Sequence, residues 1–169
     1  MKNIILHFSE RINIRGSWCF LGIQVMKKDA AGAISHWEIC YADHNRIFYT
    51  TDGTEADEKE LIRRLLFHLS LCRKNKIPII TFGTNELPIV RTRILFSDIR
   101  GMNLCDLKII SLRKILEDYF CIGTNNTMPT ASDFAREMGM ETGNTNGTEL
   151  LREIFLRTRS LLPTGVLEV

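Results

Sequence analysis

Residues 77–93 read IPIITFGTNELPIVRTR, and this stretch decides the fold. Ile77 to Phe82 is apolar apart from Thr81 and rich in β-branched side chains, as a strand buried on both faces requires. Gly83 punctuates it. Asn85 stands where a helix N-cap belongs, and the helical pattern runs on to about Phe96. Pro88 falls in its first turn, where the missing N–H costs nothing. A buried strand that runs into a helix is half of a parallel α/β unit.

Upstream of this stretch the pattern has a helical period. Thr54-Glu55-Ala56-Asp57 resembles a capping box with an acidic first turn. Ile62, Leu65, Leu66 and Leu69 then recur at helical spacing, and Arg73, Lys74 and Lys76 gather where the helix dipole favours cations. Further upstream the period shortens. WCFLGIQVM at 18–26 and the segment 34–42 read as strands joined through Lys27-Lys28-Asp29 and Gly32, with a shorter piece, RIFYT, at 46–50. The apolar run at 3–8 reads as a buried strand, followed by a basic turn with Arg11, Arg15 and Gly16. Short turns between successive strands make antiparallel neighbours. The strand, helix and buried strand that follow predict a right-handed parallel crossover.

Downstream, residues 103–108 read as a last short strand. Ser111 opens a helix with Leu112, Ile115, Leu116 and Tyr119 on one face, broken by Gly123 and the polar stretch to Thr127. Thr130-Ala131-Ser132-Asp133 starts a short helix that ends at Gly139. Gly143 to Gly147 is a loop, and a final helix carries Leu150, Leu151, Ile154, Phe155 and Leu161. No internal repeat or linker interrupts the chain, so residues 1–169 read as a single domain.

A chain of 169 residues buries a core without disulfides or structural metal. The net charge of +2 excludes a general polycation but leaves room for a local basic groove. Five cysteines, none in a C-x-x-C pair, and four scattered histidines give no zinc pattern and read as free buried thiols in a reducing cytoplasm. Met1-Lys2-Asn3 before Ile4-Ile5-Leu6 is too short for a signal peptide, and no run of about 18 apolar residues predicts a membrane span. Phosphate-loop, dinucleotide-turn and nucleophile-elbow motifs are missing from the sequence.

The order of elements is three antiparallel strands, a helix, a parallel strand, a helix, a short strand, then helices. It resembles the ribonuclease H-like architecture, although other mixed α/β folds share it. Residues 55–96 are similar to the 3′–5′ exonuclease branch of that fold. Glu58-Lys59-Glu60-Leu61-Ile62 looks like the acidic start of the helix before that family's second catalytic motif. That motif runs from a strand into F-D-x-P-x-L-x-x-R. Here Pro88 and Arg93 keep its spacing, Val90 takes the apolar position, Glu86 the aspartate position and Asn85 the aromatic one. Asn103-Leu104-Cys105-Asp106-Leu107 resembles the next strand, Ser111 to Leu116 the following helix, and Gly147-Thr148-Glu149-Leu150 a late glycine-led helix.

The departures concern the metal ligands. The family's first motif, D-x-E at the end of the first strand, meets Phe8-Ser9-Glu10-Arg11 here, with Ser9 and Arg11 in place of the acids. Glu10 lies one step off, on the other face of an extended strand. The usual last motif needs an aspartate with a tyrosine or histidine, yet after residue 147 the acids are Glu149, Glu153 and Glu168 and there is no Asp, His or Tyr. Two-metal phosphoryl transfer needs several carboxylates around two cations roughly 4 Å apart, and a serine and an arginine cannot supply that charge.

Each candidate carries two readings. Glu86 is either a longer replacement for the metal-binding aspartate or an acid favoured in a first helical turn by the dipole. Asp106 either lines the site or ends a strand, and Glu10 is either a rearranged ligand or a turn residue. Arg15, Arg91, Arg93, Arg113 and Lys114 are either a phosphate-binding face for single-stranded nucleic acid or solvated surface charges. Trp18 and Trp37 lie within strands and read as core.

The leading expectation is a ribonuclease H-like protein without the family's metal chemistry and without a cofactor. It would bind nucleic acid or a protein partner on the old active-site face. The runner-up is a divergent 3′–5′ exonuclease using magnesium or manganese on Glu86 and Asp106, with Glu10 and a late glutamate. The third is an interaction subunit or homodimer with no nucleic-acid role.

Overall fold

The buried strand at the centre of the sequence argument is the short β4, Ile79–Thr81, and all three of its residues are buried. The computed structural model describes residues 18–26, 32–42, 46–51, 54–100, 103–120, 129–141 and 147–162. Strands β1 (Cys19–Met26), β2 (Ala33–Tyr41) and β3 (Arg46–Thr50) precede α1 (Glu55–Lys74). After β4 come α2 (Glu86–Phe96), β5 (Ile109–Ser111), α3 (Leu112–Phe120), α4 (Ala131–Glu137) and α5 (Thr148–Thr158), and a 3₁₀ turn closes the series at Arg159–Leu161. The expected strand at 3–8, the turn with Arg11 and Arg15, and Glu10 lie outside the described residues.

The sheet order is β3-β2-β1-β4-β5. β1 pairs antiparallel with β2, and β2 antiparallel with β3. β4 joins the other edge of β1 in parallel, and β5 extends the sheet in parallel beside β4. The chain therefore leaves β3, crosses β2 and β1 through α1, and re-enters on the far side of β1. Of the strands expected ahead of the long helix, those at 18–26, 34–42 and 46–50 are present and antiparallel, the one at 3–8 lies outside the described residues, and the parallel strand expected after the long helix is present.

Alternation along the strands builds two cores. Cys19, Leu21, Ile39 and Ile79 face a layer formed by Leu61, Ile62, Leu65 and Leu69 of α1 and Val90 of α2. Phe20, Cys40, Ile80 and Ile110 face the opposite layer, formed by Leu112 and Leu116 of α3, Phe134 of α4, and Leu150, Ile154 and Phe155 of α5. Successive side chains on a strand point to opposite faces, so one mixed sheet carries helices on both sides. Trp37 belongs to the first layer, fully buried, its indole N–H donating to the Leu61 carbonyl at 2.9 Å. Trp18 sits one residue ahead of β1, half-buried, with its ring 4.9 Å from that of Phe155.

The helix ends follow local chemistry. The Thr54 hydroxyl oxygen accepts the Asp57 N–H at 3.3 Å and starts α1. Thr130 and Asp133 form a reciprocal capping box at α4, the Thr130 N–H donating to Asp133 at 2.8 Å. Helices α1, α2 and α4 all stop in a Schellman arrangement. In each, an N–H returns to a carbonyl five residues back: Ile77 to Cys72, Ile99 to Ile94, and Met140 to Ala135. The residue before each of these, Lys76, Asp98 or Gly139, has positive φ.

Three expectations need correction. The strand expected at 103–108 is instead β5 at Ile109–Ser111. Asn103 Oδ1 accepts the Cys105 N–H at 2.8 Å, which bends the backbone into a turn before the ladder starts. Leu161, expected on the core face of the last helix, is 69 % exposed because it falls in the 3₁₀ turn Arg159–Leu161 that follows α5. Tyr119 is 50 % exposed and lies outside the core stripe of Leu112, Ile115 and Leu116.

Candidate functional site

Glu86 opens α2 just beyond the carboxyl end of β4. The Thr81 hydroxyl donates to the Gly83 carbonyl at 2.8 Å, which folds the chain tightly as it leaves the strand. The Gly83 N–H then donates to Glu86 Oε1 at 3.1 Å. One carboxylate oxygen is thus spent on the turn, at the positive end of a helix where a carboxylate is favoured. The other, Oε2, is buried without a hydrogen-bond partner. Asn85, expected to cap the helix, makes no side-chain cap hydrogen bond, and Glu86 serves the turn instead.

The strand beside β4 is β1, CFLGIQVM, which carries no acid. Its pairing with β4 runs to Leu21 and Thr81, and Gly22 lies one step past that end. A Cβ on Gly22 would stand 3.4 Å from the Thr148 methyl group. Thr148 is fully buried at the start of α5, and its hydroxyl lacks a partner. The first turn of α5 thus lies against the glycine of the central strand.

That turn is held by ions. Arg46 on β3 pairs with the buried Glu38 on β2 and reaches Glu149 on α5 at 3.7 Å. Gly147 caps α5 with φ 65°, and a Cβ there would come within 2.5 Å of Glu38 Oε2. The backbone calls for glycine, and any larger residue would also push the Glu38 carboxylate aside. Cys40, on the same side of the sheet, is pushed up to about 11 chiefly by burial, with Arg152 opposing the shift. Glu149, one of the late glutamates considered as a metal ligand, is engaged here with Arg46.

Of the expected acids, Glu86 and Asp106 do not converge. Asp106 is exposed in the turn ahead of β5. β4 and β5 run parallel with Ile79 opposite Ile109, so Asp106 lies at the entering end of the pair and Glu86 beyond the leaving end. Glu10 lies outside the described residues. Among the described residues, no three of His, Cys, Asp and Glu are grouped so that they could hold a metal ion.

The expected basic face also divides. Arg93 is 6 % exposed, and its Nε and Nη2 donate to the two oxygens of Glu58 at 2.8 and 2.6 Å. Its assignment to a nucleic-acid face is corrected: it is a buried tie between α2 and α1. Glu58 Oε1 also accepts the Ile34 N–H at 2.9 Å, which adds β2 to the tie. Arg91 is exposed on α2 and donates to the Leu104 carbonyl at 3.4 Å. Arg113 pairs with Glu117 at 2.8 Å on α3, with Lys114 exposed beside it. Helices α2 and α3 cover opposite faces of the sheet, so Arg91 is separated from Arg113 and Lys114. Arg15 lies outside the described residues.

A different set of cations does meet. Arg63, Phe67, Ser70 and Arg73 of α1 and Asp98 and Arg100 beyond α2 line a cleft of about 470 Å³. Phe67 is 58 % exposed. Asp98 ends α2 in the left-handed region, φ 46°, and so turns Ile99 and Arg100 back over α1. The signal for this cleft is in the sequence, since 63, 67, 70 and 73 recur at helical spacing on the face opposite the core stripe. What closes it, the Schellman turn of a second helix, is not readable there.

Among the described residues, no helix is long and apolar enough to cross a membrane. Cys19, Cys40 and Cys72 are free and buried as expected, whereas Cys105 is free and exposed. Comparison with known protein families, with curated proteins and with solved structures finds no match for this chain.

Proposed function

We propose that this chain is a nucleic-acid-associated protein of ribonuclease H-like fold that works without two-metal phosphoryl transfer. The fold part of the proposal draws on the β3-β2-β1-β4-β5 order, with three antiparallel strands followed by two parallel ones. The observation that carries the functional part is the acid-free β1 beside Glu86. In the exonuclease family the sequence resembles, the first strand supplies two carboxylates to the metals; the stretch aligned with that motif, Phe8-Ser9-Glu10-Arg11, lies outside the described residues, and the strand that pairs with β4 on this side is β1. Here the central strand offers Gly22, packed against Thr148, and Glu86 has one oxygen tied to its own turn. Those residues do not fit two divalent ions, which need several convergent carboxylates. Arginines on the surface then act by attracting phosphates, a sequence-independent attraction that weakens steeply with salt. The buried free thiols suit a reducing compartment such as the cytoplasm.

The test is degradation of end-labelled single-stranded DNA and RNA with magnesium or manganese, beside Glu86→Ala, followed by binding of the same oligonucleotides across a salt series. Intact substrate with salt-sensitive binding supports the proposal. Metal-dependent shortening that Glu86→Ala abolishes would replace it with the divergent exonuclease. A second reading, a protein-interaction subunit or homodimer, is favoured by Leu95 and Phe96, which are 81 % and 66 % exposed on the last turn of α2. Concentration-dependent self-association with no oligonucleotide binding would select it.

A further inference from the structure

The arginine cleft has an order along its length. Arg63, Phe67, Ser70 and Arg73 follow one another along one ridge of α1, so the wall reads cation, aromatic ring, hydroxyl, cation. Arg63 and Arg73 are ten residues apart on a helix that rises 1.5 Å per residue, which separates their backbones by about 15 Å. That is too far for one phosphate group and suits an extended polyanion. Arg100 faces this ridge from the end of α2.

Among the described residues lining the cleft, arginines outnumber acids three to one. Arg46, Arg64, Arg113 and Arg136 each pair with a carboxylate, as does the buried Arg93. Among the described residues Arg63 and Arg100 have no such ion pair, and the Arg73 contact is to the Asn103 carbonyl at 3.4 Å. Asp98 is the one acid lining the cleft among the described residues, so their net local charge is positive. Guanidinium forks match phosphate oxygens in pairs, and an exposed ring between them offers a base a stacking surface. The apolar floor of Leu66 and Ile99 lets a planar ring seat beside Phe67.

We propose that this cleft between α1 and the end of α2 is a binding site for single-stranded nucleic acid. Successive phosphates lie on Arg63, Arg73 and Arg100, and a base stacks on Phe67. The inference rests on the nucleic-acid reading above and moves its contact surface away from the carboxyl end of β4. An acidic peptide is the competing occupant. The mixed wall favours the nucleic acid, because a peptide of carboxylates would use the arginines and leave the exposed ring without a flat partner.

The experiment is fluorescence anisotropy of a labelled twelve-nucleotide oligo(dT) and oligo(rU) titrated with the full chain at two salt concentrations. The proteins are wild type, Phe67→Ala, Arg63→Gln/Arg73→Gln, Arg100→Gln and, as a charge-matched control, Arg157→Gln at an exposed position of α5. All these positions are exposed, and circular dichroism checks that each variant is folded. Phe67→Ala is expected to weaken binding about tenfold, the loss of one stacked base. The double arginine variant is expected to lose at least about tenfold and to flatten the log-affinity against log-salt slope by about 0.7 per phosphate contact removed. Arg157→Gln should bind as wild type does. Wild-type binding that none of the cleft variants weakens overturns the cleft while leaving the nucleic-acid reading in place. No binding by wild type overturns both, and poly-glutamate displacing the oligonucleotide at equal charge assigns the cleft to an acidic protein partner instead.

Discussion

Two faces of α1 carry charge, and they treat it in opposite ways. On the inner face, Glu58 is 3 % exposed and its carboxylate is saturated by Arg93 and the Ile34 N–H. On the outer face, Arg63 and Arg73 border an open cleft with no carboxylate paired to them among the described residues. The physical reason is solvent. A charge taken into the interior must bring its partner with it or unfold the site, whereas an exposed arginine is satisfied by water and can wait for a ligand. The helix therefore uses one edge to hold β2, α1 and α2 together and keeps the other available.

The strongest way to break that comparison is to remove one member of the inner pair. Arg93→Met is expected to destabilise the protein by about 3–5 kcal/mol in urea unfolding, because Glu58 is left buried and unpaired. Adding Glu58→Leu should recover much of that loss. If Arg93→Met costs less than about 1 kcal/mol, the inner face is not the compensated one.

His68 sharpens the same point with pH. It is buried on α1 against Trp37, with Tyr41 Oη 3.2 Å from Nδ1, and burial lowers its pKa to about 4. Its folded value lies below the ordinary histidine value of 6.5, so the unfolded chain binds the proton first as pH falls. The stability it contributes is complete above about pH 6.5 and is lost progressively as pH falls toward 4. The loss is on the order of 2–3 kcal/mol. Denaturation curves from pH 7.5 to 4.5 should show this slope, and His68→Phe should remove most of it.

The ion pair on the other side of the sheet extends the comparison. Gly147→Ala puts a methyl into the space of Glu38 Oε2 and strains a positive-φ backbone. The expected cost is about 2 kcal/mol in thermal or urea unfolding. Gly139→Ala, at a positive φ in the Schellman turn of α4 and with nothing within 4 Å, is expected to cost less, about 1 kcal/mol. A loss for Gly147→Ala no greater than that for Gly139→Ala would show that neither its backbone nor Glu38 confines Gly147. The smallest effects belong to the outer face. Arg63→Gln, Arg73→Gln and Phe67→Ala should each change stability by no more than about 0.5 kcal/mol in the same assay.

Much of the architecture was legible before any coordinates. The apolar run at 77–82, the stripe of α1 and the threonine caps at 54 and 130 are local signals, and each produced the element expected of it. The short last strand was misplaced because Asn103 to Leu107 has strand-like composition while the Asn103 side chain bends the backbone. Arg93 looked like a surface cation because its partner stands 35 residues away and no periodicity connects them. Glu38 gave no signal at all, and its closeness to Gly147 depends on how α5 docks against β2.

By itself, then, the sequence determined most of the helices and strands among the described residues, most of each apolar face, and the threonine-capped starts of α1 and α4. These properties depend on neighbours a few residues apart, where the backbone period and side-chain chemistry suffice. Only the tertiary structure decided which charges are consumed and which are left free. It set Glu86 and Asp106 at opposite ends of the β4/β5 pair, buried Arg93 against Glu58, and gathered Arg63, Arg73 and Arg100 around one cleft. Burial and pairing are properties of segments distant in sequence that meet in space, and the electrostatic role of a side chain is fixed only when its solvent and its partner are both known.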